Sequence, residues 1–165
     1  MKLFYAPNSR AVRTAWLLNE LGIKFEVVKF YIGDPKMRAP EYLEKNPMGR
    51  VPVLEDGNVR ISESTAIAQY LIGRYDKNKL LAPHPESEDF PAYLQWMHFA
   101  EGMIMPPVNT IVVETILLPP EKRNQTNLVR ATKILNRALF VLDKYLDGKN
   151  FLTKDFSAAD TITGH

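Results

Sequence analysis

The chain contains no cysteine, which excludes structural disulfides, a cysteine-ligated zinc site and a protein thiol nucleophile. Any sulfur chemistry has to borrow the thiol of a ligand. Long apolar runs are missing as well. No segment approaches the roughly 20 residues that span a bilayer, and Met1-Lys2 leads straight into strand-like LFYA without the apolar core of a signal peptide. The default expectation is a cytoplasmic protein with no membrane partner. Charge of one sign is not in excess either: 21 basic and 19 acidic residues leave a net charge of +2, with no basic run and no basic helix face, so nucleic acid is not an expected partner. His84, His98 and His165 are too scattered to suggest a metal site, so no metal is expected. GxSxG, GxGxxG and Walker patterns are absent. The sequon at Asn124 carries little weight in a chain with no secretory signal.

What is present suffices for a core: 45% hydrophobic and 10% aromatic residues in 165, room for one ordinary domain or two small ones. Lys2 to Ala6 reads as a strand. Ser9 to Leu21 reads as a helix with apolar Val12, Ala15, Trp16 and Leu18, stopped at Gly22. Phe25 to Phe30, β-branched and aromatic, makes a second strand parallel to the first, completing a right-handed βαβ unit. A short helix near Pro40 to Lys45 precedes a strand at Pro52 to Leu54, an Asp56-Gly57 hairpin turn, a strand at Val59 to Ile61 and a helix from Ser64 to Tyr75. Together these predict an α/β domain over residues 1–76. Residues 77–91, rich in Pro, Lys, Glu and Asp, read as a linker, and residues 92–165 as an all-α domain. In that domain one helix runs from Ala92 to about Val113, bent at Pro106-Pro107. Another covers Glu121 to Leu146, with Leu128, Ala131, Leu135, Ala138, Leu142 and Leu146 as its seam.

The stretch from Asn46 to Leu71, NPMGRVPVLEDGNVRISESTAIAQYL, is the most informative. It sets a strand edge beside Val51 and Pro52, able to pair with an extended ligand, close to a helix N-terminus whose unpaired N–H groups attract carboxylate. Both devices suit a small anionic peptide. NPMGRVPVL, the Glu63-Ser64 pair, the opening LFYAPNSRAVRTAWLLNELG and the later FSAAD together resemble the cytosolic glutathione transferase family, of bacterial type, along nearly the whole chain.

That resemblance implies a thioredoxin-like N-terminal domain followed by an all-α helical domain. It also implies glutathione as co-substrate, conjugation of its thiolate to a small electrophile, and a homodimer in which the first domain of one chain meets the helices of the other. Val51-Pro52 then corresponds to a cis-proline turn that pairs with the cysteinyl unit. Glu63 and Ser64 would hold the γ-glutamyl group, and Arg50 would reach the glycine carboxylate, with Lys36 or Arg38 substituting for a polar residue that relatives carry near Met37. The thiol must be activated by donors at the end of the first strand. There Ala6 donates nothing, Asn8 and Ser9 are joint candidates and Tyr5 a distant third. The bland alternative for Asn8 or Ser9 is a helix cap. Ser157 and Asp160 fit a capping box. The chain ends at His165, which against the family pattern is expected to be a shortened C-terminus. The other functional readings are a glutathione-dependent disulfide or peroxide reductase without a protein cysteine, and a non-catalytic binding module.

Overall fold

Four short strands carry the first part of the chain: β1 (Lys2–Tyr5), β2 (Glu26–Lys29), β3 (Val53–Asp56) and β4 (Val59–Ser62). In this computed structural model, which describes residues 1–164, they form one sheet in the order β2-β1-β3-β4. β1 and β2 are parallel, as the predicted βαβ unit requires, while β3 runs antiparallel to both β1 and β4. Period-2 alternation distributes the side chains. Phe4 and Val53, opposite one another, join Ala6, Phe30, Met37 and Tyr42 in one buried cluster. The adjacent pair, Leu3 and Leu54, therefore faces the other side of the sheet, and both are fully buried, as are Leu17, Leu18, Ile67 and Leu71 on the helices. Each such side chain contributes roughly 1.5–3 kcal/mol relative to exposure.

Helix α1 (Ala11–Glu20) and helix α3 (Ser64–Tyr75) pack together, and a 3-10 turn at Pro35–Arg38 leads into the one-turn helix α2 (Pro40–Leu43). α1 stops as its sequence predicts: Gly22 is at φ +65, its N–H bonds to the Asn19 carbonyl, and the Ile23 N–H bonds to that of Leu18. This pair of bonds is the Schellman closure, which a residue without Cβ accommodates. The buried face of α1 departs from expectation. Ala11, Arg13, Thr14, Leu17 and Leu18 are buried, whereas Val12, Ala15 and Trp16 are only partly so. Arg13, which is not among the apolar positions read from the spacing, is 0% exposed. Trp16 stays near the surface, where its indole N–H donates to Glu20 at 2.9 Å.

The chain divides into two compact units, Met1–His84 and Pro85–Thr163. The second is all helix: α4 (Phe90–Phe99), α5 (Met105–Val112), α6 (Gln125–Leu146) and α7 (Ala158–Thr163). Ahead of Pro106-Pro107, where the sequence predicts a bend, stands a wide π turn at Ala100–Ile104, in which the Met105 N–H reaches back to the Ala100 carbonyl just before the two residues that bring no N–H. A second π turn covers Val113–Leu117. α6 starts four residues later than the pattern suggests, because Arg123 and Asn124 are extended and the Asn124 side chain caps the helix by accepting the Asn127 N–H at 3.1 Å. Along its seam Ala131 and Ala138 are buried, and Leu128, Leu135, Leu142 and Leu146 are half-buried. The capping box at α7 is one-sided. Asp160 reaches back to the N–H groups of Ser157 (2.8 Å) and Leu152 (2.9 Å), while the Ser157 hydroxyl lies 3.2 Å from the same carboxylate instead of accepting a helix N–H. Among the described residues no helix is long and apolar enough to cross a membrane.

Candidate glutathione-binding cleft

The loop from Asn46 to Pro52 is braced from several directions. Asn46, 7% exposed, accepts the Met48 N–H at 3.1 Å with its side-chain oxygen and donates from Nδ2 to the Arg50 carbonyl at 2.8 Å. Tyr42 donates its hydroxyl to the same carbonyl at 2.7 Å. Burial pushes the Tyr42 phenol up to about 12, so it remains a donor at every pH at which the protein would work. Arg38 donates to the Met48 carbonyl at 2.9 Å, which makes it part of the loop's scaffold. Gly49, at φ +59, lies so close beneath that a Cβ would stand 2.6 Å from both the Met37 carbonyl oxygen and Arg38 Nη1. The Val51-Pro52 bond that follows is cis, and the β3 ladder begins one residue later.

Opposite this loop is the start of α3. Glu63 is its N-cap residue at φ 71 and ψ 115, an unusual conformation for a side chain other than glycine. The first intrahelical bond runs from the Ile67 N–H to the Glu63 carbonyl, so the N–H groups of Ser64, Thr65 and Ala66 precede the ladder and carry the positive end of the helix. Ser64 is 3% exposed, and its Oγ accepts from Arg13 Nη1 at 3.3 Å.

Between loop and helix lies a cleft of about 110 Å³. Arg50, Val51, Pro52, Glu63 and Ser64 all line it, together with Arg10, Asn46 and Met48. The volume suits a headgroup rather than a whole peptide. Asn8, Ser9 and Tyr5 do not line this cleft, nor does Lys36, which is exposed on the 3-10 turn. Asn8 is exposed at φ 56, a left-handed conformation that Asn tolerates. Ser9 is engaged locally: its hydroxyl donates to the Ala6 carbonyl at 2.7 Å and accepts the Ala11 N–H at 3.2 Å. These are local turn bonds ahead of α1, whose N-cap residue is Arg10 and has no side-chain cap bond. Arg10, Arg13 and Asn46 escape the sequence reading. For Asn46 the signal is the Asn-Pro turn start; for Arg10, the N-cap residue of α1, and Arg13, within that short amphipathic helix, there is none.

His84 and His98 join no metal-binding group, and among the described residues no cluster of three or more His, Cys, Asp or Glu side chains has the proximity to hold an ion. His165 lies outside the described residues.

Comparison with known proteins agrees with this geometry. Residues 1–73 match the family profile described as glutathione S-transferase, N-terminal domain. Glutathione S-transferase 4 of Zea mays is 34% identical over 151 residues, which cover 90% of this chain and 67% of the relative. Elongation factor 1-gamma of Homo sapiens is 31% identical over 96% of this chain but only 36% of its own length. A glutathione transferase of Phanerochaete chrysosporium, solved with oxidized glutathione, superposes with a TM-score of 0.88 at 27% identity, over 98% of this chain and 74% of that one. With an α/β sheet of this order, a cleft between a proline loop and the start of α3, and relatives spanning the sequence, the chain belongs to the glutathione transferase family.

Proposed function

We propose that this protein binds glutathione along Arg50-Val51-Pro52 and the start of α3, with its γ-glutamyl group in the cleft between them, and conjugates it to an electrophilic small molecule. The observation that carries the reading is the convergence of Ser64, at the head of a twelve-residue helix, with the cis Val51-Pro52 turn on one small polar cleft. The γ-glutamyl carboxylate meets the Ser64 hydroxyl and the first N–H groups of α3, and Glu63 faces the γ-glutamyl ammonium. The cysteinyl amide pairs with the backbone of Val51 ahead of the β3 ladder. Arg50, exposed at the rim, takes the glycine carboxylate.

For the thiol, Asn8 is the better candidate. The Ser9 hydroxyl hydrogen is committed to the Ala6 carbonyl, whereas the Asn8 amide is exposed beside the start of α1, which supports it as the donor to the thiolate. The thiol proton leaves to solvent. The thiolate then forms a carbon–sulfur bond as the leaving group departs from the electrophile with its electron pair, and the rate gain comes from thiolate stabilisation and placement. Titration calorimetry with glutathione, followed by turnover of a halo-nitroaromatic, tests the reading; no detectable binding sinks it.

The second reading, a non-catalytic module, draws on the similarity to elongation factor 1-gamma, a relative whose name is not that of a transferase, and on the commitment of the Ser9 hydroxyl to local turn bonds. Binding without turnover of any halo-nitroaromatic, disulfide or peroxide would favour it. Activity on a disulfide alone would favour a reductase. Homodimerisation belongs to the proposal, and a clean monomer in sedimentation at micromolar concentration would contradict it.

A further inference from the structure

We infer that Arg13 is a positioning residue that aims the Ser64 hydroxyl into the cleft, and so sets the affinity for the carboxylate of the γ-glutamyl group. The inference rests on the glutathione reading given above. Arg13 is a guanidinium at 0% exposure on α1, 51 residues away in sequence from the serine it contacts. Burying such a charge is costly unless it is held by partners, and the Ser64 hydroxyl is one partner of Arg13.

The chemistry of the contact decides what Arg13 does. Arginine has five N–H donors and no acceptor, and it stays charged throughout the accessible pH range. Through its hydrogen bond at 3.3 Å it occupies a lone pair on Ser64 Oγ and cannot take the serine's hydrogen. Among the described residues the hydrogen bond at Ser64 Oγ is this one, which Ser64 accepts. Ser64 is 3% exposed and lines the cleft, and it stands at the first position of α3, where no preceding helical carbonyl is in place to receive the hydroxyl. Its hydrogen is therefore left for an acceptor in the cleft, and a carboxylate is the acceptor that profits most from a donor polarised by a cation behind it. A ligand carboxylate at this point meets a hydroxyl held as donor and the N–H groups of the helix start.

Two substitutions separate this role from packing. Lysine is also donor-only and charged; glutamine adds a carbonyl oxygen that can capture the serine hydrogen. Calorimetry of the full chain is expected to show Arg13→Gln binding glutathione about tenfold more weakly and Arg13→Lys within about threefold of wild type. With glutathione varied up to saturation, Arg13→Gln should raise the KM for glutathione with kcat within about twofold. In the Ser64→Ala background the Arg13→Gln loss should shrink to less than about twofold, since the two residues act as one unit. A glutathione amidated at the γ-glutamyl carboxylate should bind the Arg13 variants and wild type alike. Wild-type-like binding by Arg13→Gln, or a loss undiminished in Ser64→Ala, overturns the inference. Should Arg13→Gln not fold, Ser64→Ala alone must weaken glutathione and spare the amidated analogue, and an equal loss for both overturns it. Failure of the wild type to bind glutathione is a different outcome and defeats the parent reading instead.

Discussion

Asn8 and Ser9 are neighbours with different tasks, and mutation should separate them. Asn8→Ala removes the exposed amide proposed to engage the thiolate, so turnover should fall about 100-fold, in the range of losing one donor to a developing anion, while thermal stability stays put. Ser9→Ala deletes the bond to the Ala11 N–H and the one to the Ala6 carbonyl, costing about 1 kcal/mol of stability with turnover of the same order as wild type. Steady-state rates alongside thermal melts check both, and the reverse pattern would return the catalytic role to Ser9. Gly49→Ala tests the loop. A methyl group 2.6 Å from a backbone carbonyl, on a residue held at φ +59, forces either the loop or the Pro35–Arg38 turn to move. A destabilisation of roughly 2–4 kcal/mol in urea unfolding is expected, with weaker glutathione binding, because Arg50 and Val51 move with the loop. Much of this loop is legible in the sequence. Asn-Pro and Val-Pro each restrict the backbone and the glycine between them admits a positive φ, so NPMGRVP specifies a turn almost by itself. Arg13 is illegible for the opposite reason. An arginine on a ten-residue amphipathic helix reads as solvated, and only the distant approach of Ser64 reveals that it is buried.

At the scale of elements, the β3-β4 hairpin is tied to the far end of α3. Asp56 accepts from the hydroxyls of Tyr75 and, at 2.7 Å, Tyr70, with Arg74 at 3.9 Å. The Tyr75 hydrogen bond, helped by Tyr70 and Arg74 and opposed by partial burial, holds the Asp56 carboxyl below its ordinary value. In return, the hydrogen bond to Asp56 pushes Tyr70 up to about 12. A carboxyl depressed in the folded state stabilises that state above its unfolded pKa of about 3.9, and the contribution drains away as pH falls through the lower folded value. Asp56→Asn should therefore cost about 1 kcal/mol at pH 7, discounted for the solvent at this site, and the difference from wild type should close below about pH 4. Urea midpoints across that range measure it; a gap that persists in acid would mean the carboxylate charge is not what ties the hairpin. The elements themselves were legible where one local rule dominates: the Gly22 stop, the Asp56-Gly57 hairpin and the seam of α6. They were misjudged where tertiary contact rotates a helix, as in α1, or where a π turn stands ahead of a proline pair, as before α5.

For the whole molecule, every residue that lines the cleft belongs to the unit Met1–His84. Binding free energy therefore enters the chain through that unit. With two compact units a single melting temperature need not report one transition, so hydrogen exchange is the sharper probe. A ligand that binds only the native state lowers the population of the open state by the factor 1 + [L]/Kd, about 100-fold when glutathione is at 100 times its Kd. Amides of β3 and of the first turns of α3 that exchange through opening of this unit should slow by about that factor. Amides of α6, in the unit Pro85–Thr163, should slow by less. The contrast carries the argument, because additive or crowding effects of millimolar glutathione would act on both units alike. Equal slowing throughout, or none near residues 46–66, would remove the cleft as the binding site even if the protein still turned over substrate.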